Sequence, residues 1–174
     1  MSTKFFNNRL GNTLFDKLKG IASGMATFDR FLAVVGFFRS SGYFKLRKEL
    51  GDISEIKILV GINIDDIFRK HNKALLMLAD EDKAKEIYHN GFKEDIVNAQ
   101  YSPEVEEGIL QMCEDLVSGR LQMRIHATKN LHAKFYLCLP QNHSEHSDGW
   151  VIMGSSNISD SGWGIKQPPQ YELN

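Results

Sequence analysis

The fold class this sequence predicts is α/β, with a mixed β-sheet flanked by helices, and three observations predict it. Phe31-Leu32-Ala33-Val34-Val35-Gly36-Phe37-Phe38 is a continuous apolar run. It is too short for a buried helix and reads as a central strand covered on both faces. A helical pattern over Tyr43 to Leu50, with Leu46 and Leu50 four apart, separates it from the apolar run Ile56 to Gly61. That makes a β-α-β unit, which implies a right-handed crossover between parallel strands. The last third of the chain holds three more strand-like runs, so a strand-rich half follows a helical middle.

Taken in order, the elements begin with an amphipathic helix. Leu14, Phe15, Leu18 and Ile21 recur at helical spacing behind Asn12 and Thr13, which can cap it. The first core strand follows at Phe31, then Ser40-Ser41-Gly42 leads into the second helix, and Ile56 opens the second strand. From Asp65 to Ser118 the pattern is helical in three stripes. Ile67, Leu75, Leu76 and Leu78 form one; Ile87, Tyr88, Phe92 and Ile96 another; and Val105, Ile109, Met112, Cys113, Leu116 and Val117 the strongest. Ser102-Pro103 followed by Glu104 to Glu107 is a helix start, since proline suits the first turn and carboxylates suit the positive end of the dipole. Gly119 closes that helix. Strands are then predicted at Leu121 to Ile125, Ala133 to Leu139 and Trp150 to Gly154, the last two joined by the polar turn Pro140 to Gly149.

With 174 residues, 42% of them hydrophobic, the chain can bury one core but is short for two. Residues 1–174 are therefore read as a single domain. The net charge of -1 advertises no nucleic-acid partner, yet the charge is segregated. Leu116 to Ser144 contains no acid but carries Arg120, Arg124, Lys129, Lys134 and three histidines. Arg30 to Lys48 is acid-free as well and adds Arg39, Lys45, Arg47 and Lys48, while acids gather between Glu81 and Asp115. Basic ends around an acidic middle favour one phosphate-facing side. Cys113 and Cys138 lie in apolar stretches and read as buried free thiols. No signal-peptide pattern opens the chain, and no apolar run approaches the roughly 20 residues of a membrane span, so a cytoplasmic location is expected.

The chemistry concentrates in two segments. In Leu131-His132-Ala133-Lys134-Phe135-Tyr136-Leu137 the histidine and lysine are two residues apart, so an extended segment projects both from one face. A lysine there needs an anion or a carboxylate as partner. In Val151-Ile152-Met153-Gly154-Ser155-Ser156-Asn157, a β-branched run ends in small polar residues whose backbone N–H groups and side chains can approach a phosphate closely. Asn157 could instead be a cap, Ser156 a turn residue, and Asp148 part of a Ser-Asp-Gly turn. Cys138, His126, His143, His146 and Asp148 contain ligand types for zinc, but the only close pair is His143-x-x-His146 in a polar insertion, so no metal is expected. Gly36 to Gly42 is no nucleotide loop either, because Tyr43 occupies the position of the P-loop lysine.

His132-Ala-Lys134 and Gly154-Ser155-Ser156-Asn157, in that order, resemble the HxK and GSxN halves of the phospholipase D-like superfamily. The resemblance implies a phospholipase D-like fold, no cofactor, and a histidine nucleophile that forms a phosphohistidine while lysine and asparagine hold the phosphate oxygens. It makes His132, Lys134 and Asn157 the catalytic residues and adds Ser156 to Lys134 and Asn157 as phosphate ligands. The family pattern places an acid at 139, where this chain has Leu139; Glu172 is the expected replacement as the acid that orients His132. One copy of the motif implies half a site, so a homodimer is expected.

The final residues, Gln170 to Asn174, look like a strand just begun, which suggests a domain excised from a longer chain; in similar chains a helicase or another motor often follows. The expected function is a metal-independent phosphodiesterase or nuclease that cleaves DNA, within a restriction or DNA-processing enzyme. Two alternatives remain: a catalytically weak nucleic-acid-binding module attached to a helicase, and a phospholipid phosphodiesterase, for which the sequence offers no clear apolar acyl-binding rim.

Overall fold

A computed structural model of the protein describes residues 11–24, 28–61, 102–126 and 131–165. The first helix, α1 (Leu14–Gly24), starts where the sequence indicates. Thr13 Oγ1 accepts from the Asp16 amide at 3.1 Å while Asp16 Oδ2 accepts from the Thr13 amide at 2.8 Å, a reciprocal box that satisfies two backbone donors. Leu14, Leu18 and Ile21 are its buried stripe.

Strand β1 (Phe28–Val35), helix α2 (Ser40–Leu50) and strand β2 (Glu55–Gly61) form the expected β-α-β unit, with β1 and β2 parallel from Arg30↔Glu55 to Val35↔Val60. Helix α3 (Pro103–Val117) follows, capped by Ser102, whose hydroxyl accepts from the Val105 amide. With strands β3 (Leu121–His126), β4 (Phe135–Pro140) and β5 (Trp150–Met153), the described residues form a five-stranded mixed sheet in the order β3-β2-β1-β4-β5. β3 runs parallel to β2, β4 is antiparallel to β1, and β5 pairs antiparallel with β4 through the exposed turn at 141–149. The chain is thus α/β with helices against a mixed open sheet.

One sheet face, built from Phe31, Ala33, Val35, Ile56, Ile58, Val60, Tyr136 and Cys138, packs on α1, α2 and Met112 of α3. On the opposite face Leu32 and Val34 are only half-buried, so the apolar run of β1 is not covered equally on both sides. The strand also begins three residues before the apolar run and releases the chain at Gly36, leaving Phe37 and Phe38 beyond the sheet.

Helix α3 departs from its sequence stripe. Gly108, Met112 and Asp115 face inward, with Val105 and Ile109 packed beside them, whereas Cys113, Leu116 and Val117 lie exposed. The cause is polar: Asp115 is fully buried, accepting from Arg47 Nε at 2.6 Å and Tyr43 Oη at 2.7 Å, with Arg120 at 3.2 Å. That network rotates the helix so that the carboxylate, not the Leu116-Val117 pair, meets α2. The expectation of a buried Cys113 is therefore wrong, and that of a buried Cys138 is right. The two helical stripes between Asp65 and Ser102, together with the strand-like ending at 170–174, lie outside the described residues.

Candidate functional site

Sheet topology decides which sequence segments meet. The carboxyl ends of β1 and β5 and the amino end of β4 share one end of the sheet, because Val34 pairs with Phe135 and Phe135 with Met153. The Gly154 amide extends that ladder by donating to the Lys134 carbonyl at 3.1 Å. Lys134, the Gly154-to-Asn157 loop and the Gly36-Phe37 exit from β1 consequently converge. Ends of parallel strands, where the chain leaves the sheet, are also where α/β proteins commonly hold ligands.

Gly36 makes the convergence possible. A Cβ there would stand 3.0 Å from the Leu131 carbonyl and 3.5 Å from both Lys134 Nζ and Asn157 Oδ1. The lysine and asparagine head groups are therefore separated by no more than twice that distance. Gly61, at the end of β2, gives way to Leu131 in the same manner: a Cβ there would stand 2.7 Å from the Leu131 carbonyl oxygen. Residues 131–134 thus cross the ends of β1 and β2 before β4 begins.

That path corrects the expected strand. β4 starts at Phe135, so His132 and Lys134 precede it and do not share a strand face. His132 is exposed, Lys134 is half-buried, and the lysine ammonium donates to the His132 carbonyl at 2.9 Å. The two residues are joined through backbone and ammonium rather than through parallel side chains. Among the described residues no carboxylate pairs with the His132 ring; Glu172 lies outside them.

Asn157 is oriented by the backbone. Its Oδ1 accepts from the Phe37 amide at 3.0 Å, which fixes the amide's oxygen and leaves Nδ2 as its donor. An amide fixed by its oxygen leaves its nitrogen for an acceptor ligand. The preceding Ser156 is fully buried, and its carbonyl accepts from Tyr136 Oη at 2.6 Å; Ser155 is exposed. Of the phosphate ligands expected from sequence, Lys134 and Asn157 come together beside Gly36, whereas Ser156 is fully buried.

Motif reasoning misses several residues that hold this loop. Ile158 bridges to Phe38 in parallel, and its carbonyl accepts from the Arg39 amide at 2.8 Å. Trp163 is fully buried against Phe15 and Tyr136, and its indole donates to the Gly42 carbonyl at 2.9 Å. Gly162 lies against residue 157 itself: a Cβ there would fall 2.1 Å from the Asn157 carbonyl oxygen. The sequence signal for them is an aromatic residue between glycines, Gly162-Trp163-Gly164, soon after the Gly-Ser-Ser-Asn run. Lys45 and Asp160 add a half-exposed ion pair of 2.9 Å between α2 and the loop. Such a pair contributes ~1 kcal/mol at most.

The residues weighed for zinc do not converge. Cys138 faces the core, where burial pushes its thiol up to about 12, while His143 is exposed and bonded through Nδ1 to Ser147 Oγ at 2.9 Å. Among the described residues no group of three or more His, Cys, Asp or Glu side chains could hold a metal ion. Nor, among them, is any helix long and apolar enough to cross a membrane. Comparison with models of known protein families finds no match, and neither does comparison with curated proteins.

Proposed function

We propose that this chain is a phospholipase D-like phosphodiesterase domain that cleaves DNA without a metal ion, through a phosphohistidine. The observation that carries the reading is the gathering of Lys134 Nζ and Asn157 around Gly36 at the end of the sheet, next to the exposed His132. A phosphodiester seated there meets one cation and one oriented amide donor. Those groups suit the charge that spreads over phosphoryl oxygens in the transition state.

In this mechanism the neutral imidazole of His132 attacks phosphorus, an N–P bond forms, and the P–O bond to the leaving nucleotide breaks. The leaving oxygen takes a proton from a second imidazole. Water then attacks the phosphohistidine, gives up its proton to that second imidazole, and frees both His132 and the phosphate. One His132 cannot be nucleophile and acid in the same step, so the second imidazole comes from another copy of the chain across a two-fold axis. Glu172 is the proposed orienting carboxylate.

Incubation with labelled single- and double-stranded DNA in excess EDTA tests the reading. Cleavage that survives chelation and is lost in His132→Ala and Lys134→Ala supports it. Cleavage abolished by EDTA and restored by magnesium refutes it, and tight binding without turnover makes the chain a nucleic-acid-binding module instead.

A further inference from the structure

Phe37 does more than lend its amide to Asn157. The Arg39 guanidinium carbon stands 4.1 Å from the centre of the Phe37 ring, well inside cation-π range. Backbone bonds fix both ends of this pair to the same loop: Phe37 N–H to Asn157 Oδ1 at 3.0 Å, and Arg39 N–H to the Ile158 carbonyl at 2.8 Å. Both residues are half-buried, so each keeps part of its surface in solvent. The stack therefore begins at the residue whose amide orients the phosphate donor.

A guanidinium plane already seated on an aromatic ring is a surface on which a nucleobase can stack, because every base presents a flat π-face and arginine adds cation-π attraction. A base inside a duplex has both faces occupied by its neighbours, whereas an unpaired one does not. Resting on the phosphodiester reading above, we infer that Phe37 and Arg39 form a base-stacking platform at the rim of the phosphate pocket, and that the preferred substrate is single-stranded or unpaired nucleic acid. The phosphate is held by Lys134 and Asn157 while the adjoining base lies against Arg39. The role asked of Arg39 is its plane as well as its charge, which lysine cannot supply.

The test compares two fluorescein-labelled probes of equal length in EDTA, an oligothymidylate and the same backbone without bases, by anisotropy. The parent protein should bind the base-bearing probe about 10-fold more tightly, the effect of one stacked base. Arg39→Lys and Phe37→Leu should bring that ratio close to one while leaving affinity for the abasic probe nearly unchanged. Lys134→Ala should weaken both probes equally. Melting temperatures close to the parent's qualify each variant, and of the two platform substitutions the one that stays folded decides.

A parent ratio of one, or a ratio unchanged in a folded Arg39→Lys or Phe37→Leu protein, overturns the platform. If Lys134→Ala still weakens both probes in that case, the phosphate pocket stands without it. If Lys134→Ala weakens neither probe while the ratio responds to Arg39→Lys, the platform stands and the phosphate pocket fails. Binding of neither probe by the parent overturns both.

Discussion

Gly162→Ala is the substitution through which the loop geometry can be tested most directly. The new methyl would stand 2.1 Å from the Asn157 carbonyl oxygen, 2.7 Å from its amide nitrogen and 3.0 Å from its carbonyl carbon. All three atoms are backbone, so no flexible side-chain end can swing away. Nor can the loop drift outward freely, since Ile158 and Trp163 on either side are both fully buried. The displacement falls on residue 157 and is about 1 Å, enough to cost roughly 100-fold where positioning matters. Overpacking of this kind destabilises by about 1–3 kcal/mol, which lowers the melting temperature by ~2–12 °C in a domain of this size. Cleavage of a labelled oligonucleotide in EDTA reads the first effect and thermal unfolding the second. Gly20→Ala is the control, because a Cβ there meets nothing within 4 Å inside α1 and should stabilise by about 0.5–1 kcal/mol. A Gly162→Ala protein that melts lower but binds and cleaves like the parent would refute the claim that this glycine positions Asn157.

Further outcomes are expected from the same geometry. Lys134→Ala should lose phosphate, sulfate and oligonucleotide binding with a melting temperature within about 2 °C of the parent, since the side chain is half-buried and, among the described residues, is bonded to the His132 carbonyl at 2.9 Å and no carboxylate; a collapse of the fold with unchanged anion affinity contradicts this. Asp115→Ala strands Arg47, whose side chain is 8% exposed, and should cost ~3–5 kcal/mol by denaturant titration. Burial alone would raise the Asp115 carboxyl, but hydrogen bonds from Arg47 and Tyr43 outweigh it and hold the pKa below its ordinary value. Its stabilising contribution is therefore complete above the unfolded value of about 3.9 and is lost as pH falls through the lower folded value, so Asp115→Asn should flatten the acid limb of the stability curve. A thiol reagent should label exposed Cys113 at once and Cys138 only on unfolding, because burial pushes the latter thiol up to about 12; rapid reaction of both would place Cys138 outside the core. Mixing His132→Ala with wild-type chains should yield heterodimers of greatly reduced turnover, and a strictly monomeric, fully active protein excludes the shared site.

Patterns that depend on neighbours along the chain are legible in the amino-acid sequence alone. Thr13 and Ser102 cap the helices they precede, Gly119 ends α3, and each of the five strands falls within a few residues of its apolar run. Legibility fails where a distant partner decides the outcome. The stripe on α3 assigns Cys113, Leu116 and Val117 to the core, but a buried carboxylate bound by Arg47 and Tyr43 turns the helix, and those partners lie 68 and 72 residues away. Alternation in His132-Ala-Lys134 likewise presumes a strand that the Leu131 carbonyl, wedged against Gly36 and Gly61, delays until Phe135.

The candidate site divides along the same line. Motif spacing singles out Lys134 and Asn157, because polar side chains stand out against apolar runs. It cannot single out what aims them, since those contacts come from backbone: the Phe37 amide on Asn157 Oδ1 spans 120 residues, and Gly36 and Gly162 act by lacking a side chain. An amide side chain held by one backbone bond gives up little further rotamer entropy when a ligand binds, so its remaining donor is preorganised at low cost. Substituting either glycine therefore shifts what surrounds Lys134 and Asn157 without replacing either polar side chain. For that reason the positions flanking the motif, rather than the motif alone, set how this end of the sheet presents Lys134 and Asn157.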